Sequence, residues 1–261
     1  MSTKKLKIAI IGESHLADAM SWLFTVPTSE VVHFADVDIL TEWNPNLTLV
    51  CCEPNYTDFS EVENIILKTL KHTDSGVLVK TPIPPKATAA IIKTIGTINK
   101  VKKLVFSPDF STTDNALDGT INPNFQILGG HPDATRAMME VMRTTSNLNK
   151  CEFHLCGALE ASIIKLASNS FLATKVTFFN QLYNLLEQYD CNWPIVSRAL
   201  AADTRIGVSH TKVPGKDLKK GYGDLFEKDV RILLESSDDA FTLLKECQEI
   251  NEYYRNEDAT I

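Results

Sequence analysis

The chain has 261 residues, of which 44% are hydrophobic and 23% charged, and its formal net charge is −7. This ordinary globular composition excludes a disordered or collagen-like protein, and a chain of this length can bury a large core without disulfides or metals. No basic run suggests nucleic-acid binding. No apolar stretch reaches the ~18 residues that cross a bilayer, and the run after the basic N-terminus is too short for a signal peptide. We therefore expect a cytoplasmic protein with no membrane or nucleic-acid partner.

The six cysteines and six histidines are scattered along the sequence. They form neither a C-x-x-C pair nor an H-E-x-x-H motif, so the sequence predicts no metal site. In a reducing compartment, the cysteines are expected to be buried thiols that act as small hydrophobes.

The first half of the chain alternates strand and helix patterns. Short apolar runs predict strands at 6–11, 31–35, 47–52, 77–80, 103–107 and 126–128. Apolar residues at helical spacing predict helices at 15–24, 62–70 and 87–98. This alternation predicts an α/β fold, with a Rossmann-like parallel sheet and helices on both faces, over residues 1–130.

The second half, residues 131–261, is predicted to be a helical domain. Residues 158–189 contain no proline or glycine, and apolar residues recur every seven positions at Ile164, Phe171, Phe178 and Leu185. This pattern predicts one long central helix of about nine turns, packed on several elements or on a partner chain. Shorter helices are predicted at 194–202, 225–234 and 238–254, with a polar loop at 207–223.

The first strand ends at a possible dinucleotide-binding turn. Gly12 occupies the first position of a G-x-G-x-x-G fingerprint, while Ser14 and Ala17 replace its other glycines. A serine hydroxyl can donate to phosphate, and a helix N-terminus favours an anion. Asp36 ends the second strand, where a ribose-binding carboxylate is expected, and it would repel the 2′-phosphate of NADP. These residues predict NAD binding; the alternative is an α/β domain whose site no longer binds a nucleotide.

Residues 160–181 resemble the central helix of the UDP-glucose dehydrogenase family, which includes GDP-mannose and UDP-N-acetylmannosamine dehydrogenases. Residues 203–207 resemble its Asp-x-Arg-Ile-Gly segment, and residues 221–229 its glycine-rich active-site loop. Segments 79–84, 107–110 and 117–130 match the family in the same order. The resemblance spans nearly the whole chain, and it implies a Rossmann-like domain, a helical domain, NAD as cofactor, a nucleotide-sugar substrate and a homodimer built on the long helix.

The resemblance also implies roles for individual side chains. Lys165 would be the general base, Asn169 would orient the substrate or a water, and Asp229 would support the lysine. Asp109 stands for a catalytic glutamate of the family, with a shorter reach. The matching segments place Thr81 at the cofactor and, as the last group, these residues at the substrate: Phe110, Gly223 and Lys228.

The chain departs from the family at several positions. Leu225 stands where the family has the cysteine that forms a thiohemiacetal, Pro82 replaces a threonine, and Thr113 replaces a glutamate. The sequence ends at Ile261, before the family's C-terminal UDP-binding domain, which indicates a shortened member. We expect the four-electron oxidation to be lost. The Lys-x-x-x-Asn pair is also that of β-hydroxyacid and 6-phosphogluconate dehydrogenases, which need no cysteine, so a two-electron hydride transfer remains possible.

Other interpretations remain open from the sequence. The chain could be a catalytically inactive member that acts as a binding or regulatory partner, and Lys165 and Asn169 could form an exposed helix face. Phe171, Phe178 and Phe179 are expected to pack against other helices. The lysines of the polar loop favour a solvated surface over a phosphate clamp; they are Lys212, Lys216, Lys219 and Lys220.

Overall fold

The computed structural model describes residues 5–110, 119, 122–146, 148 and 151–257. The chain divides into two compact units, Met1–Lys165 and Leu166–Ile261. The sequence patterns predict a domain boundary after residue 130. The first compact unit extends beyond that position and includes one more helix, one more strand and the start of the long helix.

The first unit contains a seven-stranded sheet, so the predicted Rossmann-like α/β fold is confirmed. Its strands are β1 (Leu6–Ile11), β2 (Ser29–Phe34), β3 (Leu47–Val50), β4 (Gly76–Val79), β5 (Leu104–Phe106), β6 (Phe125–Gly130) and β7 (Glu152–Cys156). They lie in the order β2-β1-β3-β4-β5-β6-β7. All neighbouring strands pair in parallel except β5 and β6, which are antiparallel, so the sheet is mostly rather than wholly parallel.

Helices cover both faces of this sheet. The helices of the first unit are α1 (His15–Phe24), α2 (Leu40–Trp43), α3 (Ser60–His72), α4 (Pro85–Thr97) and α5 (Pro132–Thr145). One apolar cluster includes Met20 of α1 and Met138 of α5, and a second includes Ile66 of α3 and Ile91 of α4. Burial of these aliphatic side chains from water is the main favourable contribution to folding of such a unit.

The long helix α6 (Ala158–Gln188) begins in the first unit and continues into the second. Gly129 at the end of β6 allows its first turn to pack closely, because a Cβ there would lie 2.7 Å from the carbonyl oxygen of Gly157. The helix has 31 residues, so the predicted long helix is confirmed.

The second unit also contains α7 (Trp193–Ala202), α8 (Asp224–Glu235) and α9 (Thr242–Glu257). The expected packing of the phenylalanines is correct for Phe179, which is 2% exposed and packs on Trp193 with ring centroids 6.1 Å apart. Phe171 and Phe178 are 69% and 60% exposed in the single chain, so their packing against another helix stays a prediction. Seven-residue spacing predicts an apolar face but does not specify what covers it. Among the described residues, no helix is both long and apolar enough to span a membrane.

Candidate functional site

The turn after β1 has the backbone that its glycine predicts. Gly12 has a φ of +109°, and a Cβ there would lie 2.8 Å from the carbonyl oxygen of Cys51. A side chain is therefore excluded both by the backbone conformation and by the neighbouring strand end. This keeps α1 close to the carboxyl end of β1, as a dinucleotide-binding turn requires.

Ser14 caps α1. Its Oγ donates a hydrogen bond to the carbonyl oxygen of Cys51 (2.6 Å) and accepts one from the backbone amide of Ala17 (3.1 Å). The hydroxyl thus has two partners within the chain. In the described part of the structure, the backbone amides of His15 and Leu16 have no acceptor. Unpaired amides at a helix N-terminus favour an anion, so these amides could bind a phosphate without the hydroxyl of Ser14.

Asp36 lies two residues beyond β2 and is exposed. Its Oδ1 accepts a hydrogen bond from the amide of Asp38 (3.0 Å), which holds the turn. Because β2 and β1 are paired in parallel, Asp36 and Gly12 follow neighbouring strand ends. This is the relative placement of a phosphate-binding turn and a ribose-binding carboxylate in a dinucleotide site.

Thr81 follows β4 and is buried. Its Oγ1 donates a hydrogen bond to the carbonyl oxygen of Cys52 (2.9 Å), which links the carboxyl ends of β4 and β3. The structure therefore gives this hydroxyl a partner in the chain. Its contact with a cofactor remains a prediction.

Lys80 is a buried charged residue that the sequence reasoning missed. It is 0% exposed, and its Nζ donates to Ser107 Oγ (3.2 Å) and Gln126 Oε1 (3.0 Å). Burial lowers the pKa of Lys80, and the charge of Asp109 opposes that effect. A lysine that directly continues the apolar run of β4 was the signal available in the sequence.

Asp109, Phe110 and Lys165 come together in the first unit. Asp109 and Phe110 follow β5, and the Nζ of Lys165 lies 5.3 Å from the ring centroid of Phe110. The charges of Asp109 and Lys165 both act on the pKa of Lys80, in opposite directions. Lys165 and Asn169 are each 7% exposed, so the interpretation of these two residues as an exposed helix face is wrong.

In the second unit, Asn169 and Asp229 form a buried pair. The Nδ2 of Asn169 donates a hydrogen bond to Oδ2 of Asp229 at 2.5 Å, which joins α6 to α8. An amide that donates to a buried carboxylate orients it and offsets part of its desolvation. The sequence motif therefore predicted two residues that the fold brings into direct contact.

The glycine-rich loop leads into α8. Gly223 is the N-cap residue of this helix, Lys228 is half-buried, and Leu225 is exposed in the first turn. A leucine side chain has no nucleophilic atom, so it cannot form a covalent intermediate. The amide of Tyr222 donates to Asn251 Oδ1 (2.7 Å), which fixes the loop against α9.

One loop lysine departs from the expected solvated surface. The Nζ of Lys220 donates to Asn184 Oδ1 (2.8 Å) and lies 5.0 Å from the ring centroid of Tyr183. Thr113, predicted to replace a glutamate of the family, lies outside the described residues. Within the described ranges, no group of three His, Cys, Asp or Glu side chains could hold a metal ion.

Comparison with known proteins gives one family-model match. Residues 159–253 match the model for the central domain of the UDP-glucose/GDP-mannose dehydrogenase family. A UDP-glucose 6-dehydrogenase from Rickettsia bellii is 27% identical over 179 residues, which cover 67% of this chain and 40% of the relative. The chain thus spans less than half the length of the curated relatives that it resembles.

Solved structures share the fold. A UDP-glucose dehydrogenase from Pyrobaculum islandicum aligns over 97% of this chain and 69% of its own, with a TM-score of 0.79 and 16% identity. A 3-hydroxyisobutyrate dehydrogenase from Mycobacterium tuberculosis aligns over 96% of this chain and 94% of its own, with a TM-score of 0.74 and 13% identity. At these identities the likeness concerns the fold alone.

Proposed function

We propose that this chain is an NAD-dependent oxidoreductase of the UDP-glucose/GDP-mannose dehydrogenase family, one that removes two electrons from a nucleotide sugar or a related alcohol. The observation that carries the proposal is the burial of the Lys-x-x-x-Asn pair. Lys165 and Asn169 lie one turn apart on α6, and Asn169 donates to the buried carboxylate of Asp229. Charged and amide groups are rarely buried without a structural or chemical reason.

The turn at Gly12, the amides of His15 and Leu16, and Asp36 provide a site that fits a dinucleotide. NAD⁺ supplies the hydride acceptor when it is bound. Thr81 lies at the same edge of the sheet, because it follows β4. The free amides would bind the pyrophosphate, and the carboxylate of Asp36 would bind the ribose hydroxyls.

The chain's own residues would handle the proton. The neutral amine of Lys165 accepts the hydroxyl proton of the alcohol as the hydride leaves the carbon, which yields a carbonyl group and a lysine ammonium. Asn169 orients the substrate or a water, and Asp229 holds Asn169 in place. In the first unit, Phe110 lies beside Lys165 and follows Asp109. In the second unit, Gly223 at the N-cap of α8 and Lys228 within α8 would contact the substrate.

Leu225 argues for two-electron chemistry. Oxidation of a primary alcohol to a carboxylate through a thiohemiacetal needs a cysteine, and a leucine occupies that position of the loop. A single hydride transfer needs a base and a hydride acceptor but no covalent intermediate. The expected product of a primary alcohol is therefore an aldehyde.

We also propose a homodimer that buries the exposed face of α6. Phe171, Phe178 and Leu185 lie seven residues apart on this face and are all exposed in the single chain. A row of large exposed apolar side chains is typical of a surface that another protein covers. An isologous contact between two copies of the helix would remove this row from water.

Turnover tests the proposed activity. Purified protein with NAD⁺ and candidate alcohols, UDP-glucose first, is expected to form one NADH for each substrate molecule consumed. Lys165→Ala should abolish turnover without unfolding the protein, and Lys212→Ala, at an exposed loop lysine, is the matched control. Unchanged turnover in Lys165→Ala would refute the assignment of Lys165 as the base. Formation of two NADH molecules for each substrate molecule would refute two-electron chemistry.

The second candidate function is that of an inactive family member that regulates an active dehydrogenase through the exposed face of α6. The replacement of the loop cysteine by Leu225 and of the fingerprint glycine by Ser14 favours it. A mixing experiment with an active dehydrogenase of the family tests this role. Failure of the two proteins to co-purify, with no change in the activity of the partner, would count against it.

A further inference from the structure

The loop that leads into α8 is held by the side chains of three asparagines. Two of them, Asn180 and Asn184, lie one turn apart on α6, and the third, Asn251, lies on α9. Each accepts a hydrogen bond from one of three consecutive loop residues, which are Lys220, Gly221 and Tyr222. All of these residues belong to the second unit.

Two of these bonds hold the backbone of the loop. The amide of Gly221 donates to Asn180 Oδ1 (3.2 Å), and the amide of Tyr222 donates to Asn251 Oδ1 (2.7 Å). Within the described residues, neither amide has a backbone acceptor. Asn180 and Asn251 are 2% and 3% exposed, so little water can replace their oxygens while the loop stays where it is. Removal of either oxygen would leave an amide unpaired, and the loop would then move to find another acceptor.

Gly221 fits closely against the side chain of Asn251. Its φ is +81°, which a glycine adopts without strain, and a Cβ there would lie 2.5 Å from Asn251 Oδ1. A larger residue would push this asparagine away from the amide of Tyr222. Asn180 is also fixed in place, because its Nδ2 donates to the carbonyl oxygen of Val176 one turn earlier on α6 (2.8 Å).

Asn184 connects the loop to both helices. Its Oδ1 accepts from the Nζ of Lys220 (2.8 Å), and its Nδ2 donates to the hydroxyl of Tyr254 on α9 (3.0 Å). The three asparagines therefore fix the loop against α6 and α9 immediately before Gly223, the N-cap residue of α8.

We propose that the three asparagines are positioning residues of the dehydrogenase site. They hold the loop in the conformation in which Gly223 and Lys228 contact the substrate. The inference rests on the proposed function, because that function assigns these two residues to the substrate. A loop that is fixed in advance loses less conformational entropy when the substrate binds, so binding is tighter. Because the asparagines do not act on the reacting atoms, their removal should change KM more than kcat.

Hydrogen exchange of the loop tests the proposal without requiring turnover. Exchange is followed by mass spectrometry with fragmentation that resolves single amides. In Asn251→Ala, the amide of Tyr222 should exchange about tenfold faster than in wild-type protein, because it loses its acceptor. In Asn251→Asp an acceptor oxygen remains, and the exchange rate should return toward that of wild-type protein. Glu249→Ala, at an exposed position of α9, is the matched control and should leave the exchange unchanged.

A second variant keeps the test decisive if Asn251→Ala does not fold. Asn180→Ala places a good helix former within α6 and removes the acceptor of the Gly221 amide, which should then exchange faster. Wild-type exchange of both loop amides in the folded variants would overturn the proposal. Exchange that rises by the same factor throughout α6 and α9 would also overturn it, because the asparagines would then stabilise the whole unit rather than the loop.

Turnover separates this inference from the proposed function. If wild-type protein oxidises an alcohol, Asn251→Ala should raise the KM for that alcohol about tenfold and leave kcat nearly unchanged, and Asn251→Asp should restore the lower KM. An unchanged KM in a variant whose loop exchanges faster would overturn the positioning role. If wild-type protein oxidises no alcohol, the proposed function fails, and hydrogen exchange still shows whether the asparagines hold the loop.

Discussion

The buried contact between Asn169 and Asp229 should contribute far more to stability than a surface ion pair. The amide donates to a carboxylate at 2.5 Å, and both residues are buried. Hydrogen bonds to charged groups contribute about 1.5–3 kcal/mol, because the charge strengthens the bond and its loss leaves a buried carboxylate without a donor. In a double-mutant cycle of Asn169→Ala and Asp229→Ala, we expect a coupling energy in that range.

An exposed pair on the same helix is the control. The Nε of Arg231 lies 4.0 Å from Oε1 of Glu235, one turn further along α8, and both side chains are exposed to solvent. Exposed helix pairs of this spacing contribute about 0.3–0.5 kcal/mol, since water screens the charges. The buried pair should therefore couple at least three times as strongly as the exposed one.

Urea unfolding followed by fluorescence measures both cycles. Trp193 packs near Phe179 in the second unit, whereas Trp22 and Trp43 lie in the first. Replacing Trp22 and Trp43 by phenylalanine leaves Trp193 as the reporter of the unit that holds both pairs. Equal coupling energies for the buried and exposed pairs would refute the argument that burial strengthens the Asn169–Asp229 contact.

Three further changes have expected outcomes. In urea unfolding, Phe179→Ala should lower the free energy of unfolding by about 3–5 kcal/mol. Phe178→Glu, at the exposed neighbour, should change that free energy by less than about 0.5 kcal/mol. In sedimentation, the same Phe178→Glu variant should no longer form the proposed dimer. Burial lowers the pKa of His210 below its ordinary value of 6.5. As the pH drops below 6.5, the unfolded chain therefore binds a proton that the folded chain does not bind, and the stability of the fold should fall. Calorimetry should show a shallower fall with pH in His210→Asn. A thiol reagent should modify the exposed Cys191 and leave Cys51 unmodified, because Cys51 is buried and burial raises its pKa. If mass spectrometry shows rapid modification of Cys51 in the folded protein, its buried position is contradicted.

The strands and the long helix could be predicted because their patterns are local. An apolar run bounded by turn residues defines β1, and the 31-residue helix α6 lacks proline and glycine throughout. Helix α5 was missed because its buried positions include Ala134 and Thr135, which carry little hydrophobic signal beside Met138 and Met142. Periodicity detects a helix only when its buried face differs clearly in polarity from its exposed face.

The candidate site could be predicted only in part. The family motif identified Asn169 and Asp229, which lie 60 residues apart in sequence and form a hydrogen bond. It did not reveal Lys80, because the acceptors on Ser107 and Gln126 lie 27 and 46 residues away and are brought close only by strand order. Long-range polar contacts of this kind form only in the assembled sheet, so no local sequence pattern predicts them.

Calorimetric titration of the purified protein with NAD⁺ and NADH tests the central claim most directly. The turn at Gly12 and the free amides of α1 predict saturable binding, with dissociation constants between micromolar and sub-millimolar. Gly12→Val should abolish the binding heat, because its side chain would collide with the carbonyl of Cys51. The absence of binding to wild-type protein at millimolar ligand would contradict the dehydrogenase account and favour a regulatory protein with a dehydrogenase fold.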